Sequence, residues 1–216
     1  MKVLFIGANG KVGRQFADIM KDHPTINERA MIRNPEQQAF FDERGIETVL
    51  LDLSKVSVDD LAAVAAGMDA VIFSAGAGGK GLDKIFTVDL DGAVKAMEAA
   101  EKAGVKRFVM VSTFRTGRQE MDKQNDLRYY TIGKHYADEW LKTRTDLDWT
   151  IVHPGILTDE AGTGQVKVGM GNEIAEISRQ DVARVLVAVL EHDSTIGKEF
   201  EVLAGDVAVD EAVQSV

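Results

Sequence analysis

Short apolar runs alternate with segments of helical period along almost the whole chain. Lys2–Ile6 is a mostly apolar, β-favouring run that reads as a buried strand. Val12–Lys21 follows with Phe16, Ile19 and Met20 on one side, the spacing of an amphipathic helix. Ala30–Ile32 predicts a short second strand, and Pro35, suited to a helix's first turn, opens a helix to about Arg44. Glu47–Leu51 is a third strand. Ser57 with Asp60 forms a capping box for a helix through Ala66. Ala70–Phe73, a fourth strand, runs into a glycine-rich loop that ends at Gly81. A long helix fills Val88–Ala103, with Gly104 as its stop. Strand Arg107–Val111, helix Tyr129–Thr143 and strand Trp149–Val152 come next, the last ended by Pro154-Gly155. Ser178 and Asp181 cap a helix through Glu191, and Glu199–Leu203 is a final strand.

This alternation predicts βαβ units and an α/β fold of Rossmann type: a doubly wound, mostly parallel sheet with helices on both faces. No repeat, low-complexity tract or linker divides the 216 residues, so 1–216 reads as a single domain. Thr113–Arg128 and Ile156–Ile177 read as irregular. Both follow the C-terminal ends of strands, where ligands bind in open α/β sheets, and 156–177 is the expected substrate or lid portion.

Composition narrows the partners. The chain has no cysteine, which excludes thiolate catalysis and disulfides and suits a reducing cytoplasm. No window approaches the roughly 20 apolar residues of a membrane span. Met1–Ile6 is too short an apolar run for a signal peptide. A formal net charge of −10 disfavours nucleic acid and anionic membranes. The expected partners are therefore small molecules, with the chain a monomer or a small homo-oligomer. A phosphorylated cofactor is also an anion, so it would need local cations.

The glycine turn supplies such a site. Gly7, Asn9, Gly10, Lys11, Val12 and Gly13 lie in a G-x-x-G-x-x-G run between the first strand and the first helix. That context marks a dinucleotide site, with phosphates at the helix N-terminus. Gly78-Gly79-Lys80-Gly81, by contrast, lacks the hydroxyl residue of a P-loop. An NAD binder places an acid at the end of the second strand, about twenty residues on. Here the position holds Arg33, which suits the 2′-phosphate of NADP. Lys11 and Arg14 add cations. Glu28, a rival ribose ligand, reads as preceding the strand. Asp52 and Leu53 are placed to flank adenine, and Ser74, Ala75 and Gly76 leave room for a ribose.

Taken in order, these motifs resemble the short-chain dehydrogenase/reductase superfamily. So do Ala103–Phe108, Val109–Thr113, Tyr130-x-x-x-Lys134 and Leu147–Gly155. Within it, the chain is similar to the compact bacterial atypical branch of NAD(P)H-binding proteins, which includes relatives of NmrA-like regulators and biliverdin/flavin reductases. The resemblance implies Tyr130 as proton donor, Lys134 as its partner and nicotinamide-ribose ligand, and Ser112 orienting the substrate oxygen. Pro154 and Ile156 complete the implied cofactor contacts. Lys134 lies one helical turn beyond Tyr130, a spacing that puts both on one face. His153 and His135 read as structural, and no cluster has metal-ligand spacing. The expected function is hydride transfer between NADPH and a small carbonyl, quinone or related acceptor. The alternative is a non-catalytic NADP(H)-sensing regulator with a protein partner. Epimerisation ranks below both, because the substrate portion is short.

Overall fold

The computed structural model describes residues 1–78 and 81–216. Gly79 and Lys80, from the stretch without a P-loop hydroxyl, lie outside the described residues. The chain begins β1 (Lys2–Ile6), α1 (Lys11–Met20), β2 (Asn27–Ile32), a 3-10 turn at Pro35–Gln37, α2 (Gln38–Asp42), β3 (Glu47–Leu50), α3 (Val58–Ala65) and β4 (Ala70–Phe73). A helical segment follows, built from α4 (Leu82–Lys84), a π-helical stretch (Ile85–Leu90) and α5 (Asp91–Ala103). Next come β5 (Arg107–Val111), α6 (Arg118–Met121), α7 (Arg128–Arg144) and β6 (Asp148–Pro154). The last third holds β7 (Ile156–Thr158), β8 (Gln165–Gly169), β9 (Glu176–Ser178), α8 (Arg179–Glu191), β10 (Lys198–Ala204), β11 (Val207–Ala208) and α9 (Val209–Gln214).

Nine strands make one sheet in the order β11-β8-β10-β6-β5-β4-β1-β2-β3, and β7 pairs with β9 separately. From β3 to β10 the strands run parallel, while β8 runs antiparallel to β10 and β11. The period-two alternation of β1 divides its residues between two cores. Val3 and Phe5 pack with Phe16 and Met20 of α1 and with Val182 and Leu186 of α8. Leu4 and Ile6 pack with Leu61 of α3, Met97 of α5 and Leu141 of α7. Helices thus cover both faces, as the alternation predicts. Among the described residues no helix is long and apolar enough to cross a membrane.

Several elements differ from the sequence reading. Residues 113–128, read as irregular, hold the short helix α6, and β11 and α9 follow the strand expected to be the last. The helix expected from Val88 is already wound from Leu82, with its π-helical stretch between. Residues 156–177 hold three short strands instead of an irregular loop. β8 is only five residues long and borders glycines, so its alternation is too brief to stand out. The second strand starts at Asn27, which places Glu28 within it and not before it.

Glu28 shares the face of Ala30 and Ile32, is buried, and has no hydrogen-bond partner on either carboxyl oxygen among the described residues. Burial pushes its carboxyl from 4.5 up to about 8. The native state therefore keeps a proton that the unfolded chain releases near 4.5. That stabilisation is complete below the unfolded value and is lost as pH rises through the native one. Between about pH 5 and 8 the protein is expected to lose on the order of 3 kcal/mol relative to Glu28→Gln in denaturant titrations. Parallel losses in both proteins would contradict this account.

Candidate active site

Crossovers leave β1 and β4 for opposite faces, so the crevice at their C-terminal ends is the sheet's switch point, the usual ligand position in such folds. A cleft of about 830 Å³ opens there. Gly7 has φ +97°, and a Cβ on it would lie 2.6 Å from the Ala75 nitrogen, so β1 exits against the 74–76 loop only with glycine. A Cβ on Gly13 would lie 2.3 Å from the Ala8 carbonyl oxygen. Gly13 therefore presses α1 onto its strand and does not line the cleft. Gly10 begins α1 without a side-chain cap, and no acid stands in the first turn. The helix's first N–H groups are left for an anion, and a dinucleotide diphosphate fits this cradle.

Gly7, Asn9, Gly10, Lys11, Val12, Arg33, Asp52, Leu53, Ser74, Ala75, Gly76 and Pro154 line the cleft. Gln37 reaches back to the backbone N–H groups of Arg33 and Asn34 at 2.9 and 3.1 Å, which fixes the turn after β2. The Arg33 side chain is exposed and makes no ion pair or hydrogen bond among the described residues. The other two expected cations are engaged. Lys11 pairs with Asp159, which also takes Arg179. Arg14 donates twice to Asn9 Oδ1, at 3.1 and 2.7 Å, and stacks on Phe40 at 4.3 Å, outside the cleft lining. Asp52 accepts from Ser54 at 2.8 Å and lies 3.3 Å from Lys55. Ile156 does not reach the cleft. It is 52% exposed, and the alternation of β7 turns Leu157 inward in its place.

Ser112, Tyr130 and Lys134 line the same cleft. The Lys134 Nζ donates to the Val111 carbonyl at 3.2 Å and lies 3.6 Å from Asp89 Oδ1. Its distance to the centre of the Tyr130 ring is 5.9 Å. Asp89, fully buried, accepts from the Ala77 N–H at 2.9 Å and so ties the 74–78 loop to the helical segment. Burial raises its carboxyl above the usual range, against the pull of Lys134. Ser112 donates to Asp138 Oδ2 at 2.6 Å. Behind the pair, His153 contacts the Thr113 carbonyl at 2.8 Å and Glu199 at 3.4 Å. The His153 hydrogen bond and the nearby Lys142 overcome partial burial and hold Glu199 at about 2.

Asp89 and Asp138 are absent from the sequence reading. Asp138 was within reach of it, since it lies one helical turn past Lys134 and extends the Tyr130–Lys134 spacing. Asp89 sits among apolar residues of the π-helical stretch, where no periodic signal marks it.

A sequence profile described as NAD(P)H-binding matches residues 7–193. The chain is 43% identical over 215 residues to "Uncharacterized sugar epimerase YhfK" of Bacillus subtilis, covering 99% of both chains. A candidate NAD-dependent epimerase/dehydratase from Bacillus halodurans superposes with TM-score 0.92 at 40% identity, covering 100% of each chain. The oxidoreductase ylbE from Lactococcus lactis gives TM-score 0.90 at 34% identity, covering 100% of this chain and 96% of that one.

Proposed function

The chain belongs to this NAD(P)H-binding family, and from that premise we propose that it is an NADPH-dependent oxidoreductase acting on a small carbonyl, quinone or related acceptor. The supporting observation is one continuous cleft that joins the glycine turn and Arg33 to Ser112, Tyr130 and Lys134. A reduced nicotinamide, when bound, supplies the hydride. The glycine turn and the α1 N-terminus hold the diphosphate, and Arg33 takes the 2′-phosphate. Asp52 and Leu53 flank the adenine. Tyr130 gives a proton to the acceptor oxygen, Lys134 favours the phenolate that results, and Ser112 orients that oxygen.

Tyr130→Phe is expected to lower turnover of a carbonyl substrate by about 10²-fold, the size of a lost general acid. NADPH affinity is expected to stay within about twofold, because the phenol adds no phosphate contact. Unchanged turnover would remove Tyr130 from that role.

A regulator that senses the bound nucleotide is the second reading. It draws on Lys134, whose ammonium is already compensated by Asp89, which weakens its field at Tyr130. An acceptor panel that follows NADPH oxidation separates the two. Steady net oxidation supports the reductase. Binding without turnover, with a partner captured only when NADP(H) is present, supports the regulator. The Bacillus relatives' names add epimerisation as a third outcome, in which a sugar changes configuration with no net NADPH consumed.

A further inference from the structure

Behind the cleft, the Ser112–Asp138 pair does more than hold a serine in place. We propose that Asp138 is a positioning residue that sets the direction of the Ser112 hydrogen bond and so selects between a carbonyl and an alcohol in the cleft. The inference rests on the reductase reading of the same site.

A serine hydroxyl has one proton and two lone pairs. If Asp138 is ionised, the 2.6 Å contact consumes that proton, and Ser112 offers the cleft only lone pairs, which suit a substrate alcohol. If Asp138 is protonated, its O–H donates to Ser112, and the serine proton is released toward a substrate carbonyl. Asp138 is 1% exposed, and its other oxygen has no hydrogen-bond partner among the described residues. Ser112 lines the cleft and Asp138 does not, so the carboxyl acts only through the serine.

The charges around Asp138 come from several elements. Burial disfavours its anion, while His153 on β6, Ser112, Lys134 on α7 and Thr116 favour it, and burial prevails. The two cationic partners are themselves compensated, Lys134 by Asp89 and His153 by Glu199 on β10. Their combined field at Asp138 is therefore weaker than two isolated charges would give.

The electron pair that reaches the carbonyl carbon would come as hydride from a bound reduced nicotinamide. The carbonyl oxygen takes its one proton from Tyr130 as its π bond opens, and the tyrosine regains one from solvent. Ser112 keeps its own proton and only donates a hydrogen bond to that oxygen, which the protonated Asp138 permits by donating to the serine in turn.

Infrared difference spectroscopy on the nucleotide-free protein reads the proton directly. Glu28→Gln serves as the parent, since it removes one other buried carboxyl, and that of Asp89 is common to every protein compared. A protonated-carboxyl band that titrates above the usual carboxylate range is expected, with a component that is lost in Asp138→Asn and shifts upward in Ser112→Ala. A spectrum unchanged by both substitutions would overturn the proposal. In turnover, the wild-type pH profile of kcat/KM is expected to carry an ionisation that Asp138→Asn lacks. Its persistence in that variant would also overturn the proposal. An acceptor panel with no turnover would count against the reductase reading alone, because the infrared band still reports on Asp138.

Discussion

Lys134→Met is expected to lower folding stability by about 3 kcal/mol, the low end of the cost of breaking a buried ion pair. The ammonium lies 3.6 Å from Asp89, and both side chains are buried. Without it, Asp89 keeps the Ala77 N–H as its side-chain partner among the described residues. The effect falls at the low end because burial already raises the Asp89 carboxyl, which can protonate once the cation is gone. Replacing both groups removes the uncompensated charge as well as its partner. Lys134→Met with Asp89→Asn is therefore expected to recover about 2 kcal/mol of the loss. Denaturant titration of the four proteins in this cycle measures the coupling. Additive effects would show that the two groups do not compensate one another. Because Asp89 also holds the 74–78 loop, the single substitution is expected to weaken nucleotide binding as well, and the double substitution to restore part of it.

Arg33→Ala is expected to weaken NADPH binding by about 10- to 100-fold, the loss of one charge-assisted contact of roughly 1.5–3 kcal/mol. NADH affinity is expected to move by less than about twofold, since NADH lacks the 2′-phosphate. The selectivity follows from the neighbouring charges. Lys11 is shared with Asp159, and Arg14 is spent on Asn9 and Phe40, so neither replaces the lost guanidinium. Raising salt is expected to narrow the gap between the two nucleotides, because Arg33 is exposed and its field is screened. Equal weakening of both would place Arg33 on the diphosphate or in the fold.

The strands and helices that build the switch point were legible because each carries a strong local signal. β1 is a buried run ending at a glycine that its backbone angle requires, and the Ser57 and Ser178 caps stand where the sequence sets them. What stayed hidden depends on tertiary contact. Glu28 reads as a polar residue outside a strand, since nothing local shows that β2 extends back to Asn27 and buries it. The engagement of Lys11 depends on Asp159, which comes from beyond β7 and far along the chain. Ile156 and Leu157 are adjacent apolar residues, and only the pairing of β7 with β9 decides which one faces the cleft. Likewise, Ser112 was placed by its position after β5, but the direction of its hydrogen bond needs α7 docked against it.

The proposed preference of this cleft for NADPH over NADH rests on Arg33. Parallel titration of the wild-type protein with both nucleotides, at one pH and one salt concentration, tests it most directly. NADPH is expected to bind at least about tenfold tighter, the equivalent of about 1.4 kcal/mol. Equal affinities, or tighter binding of NADH, would contradict it.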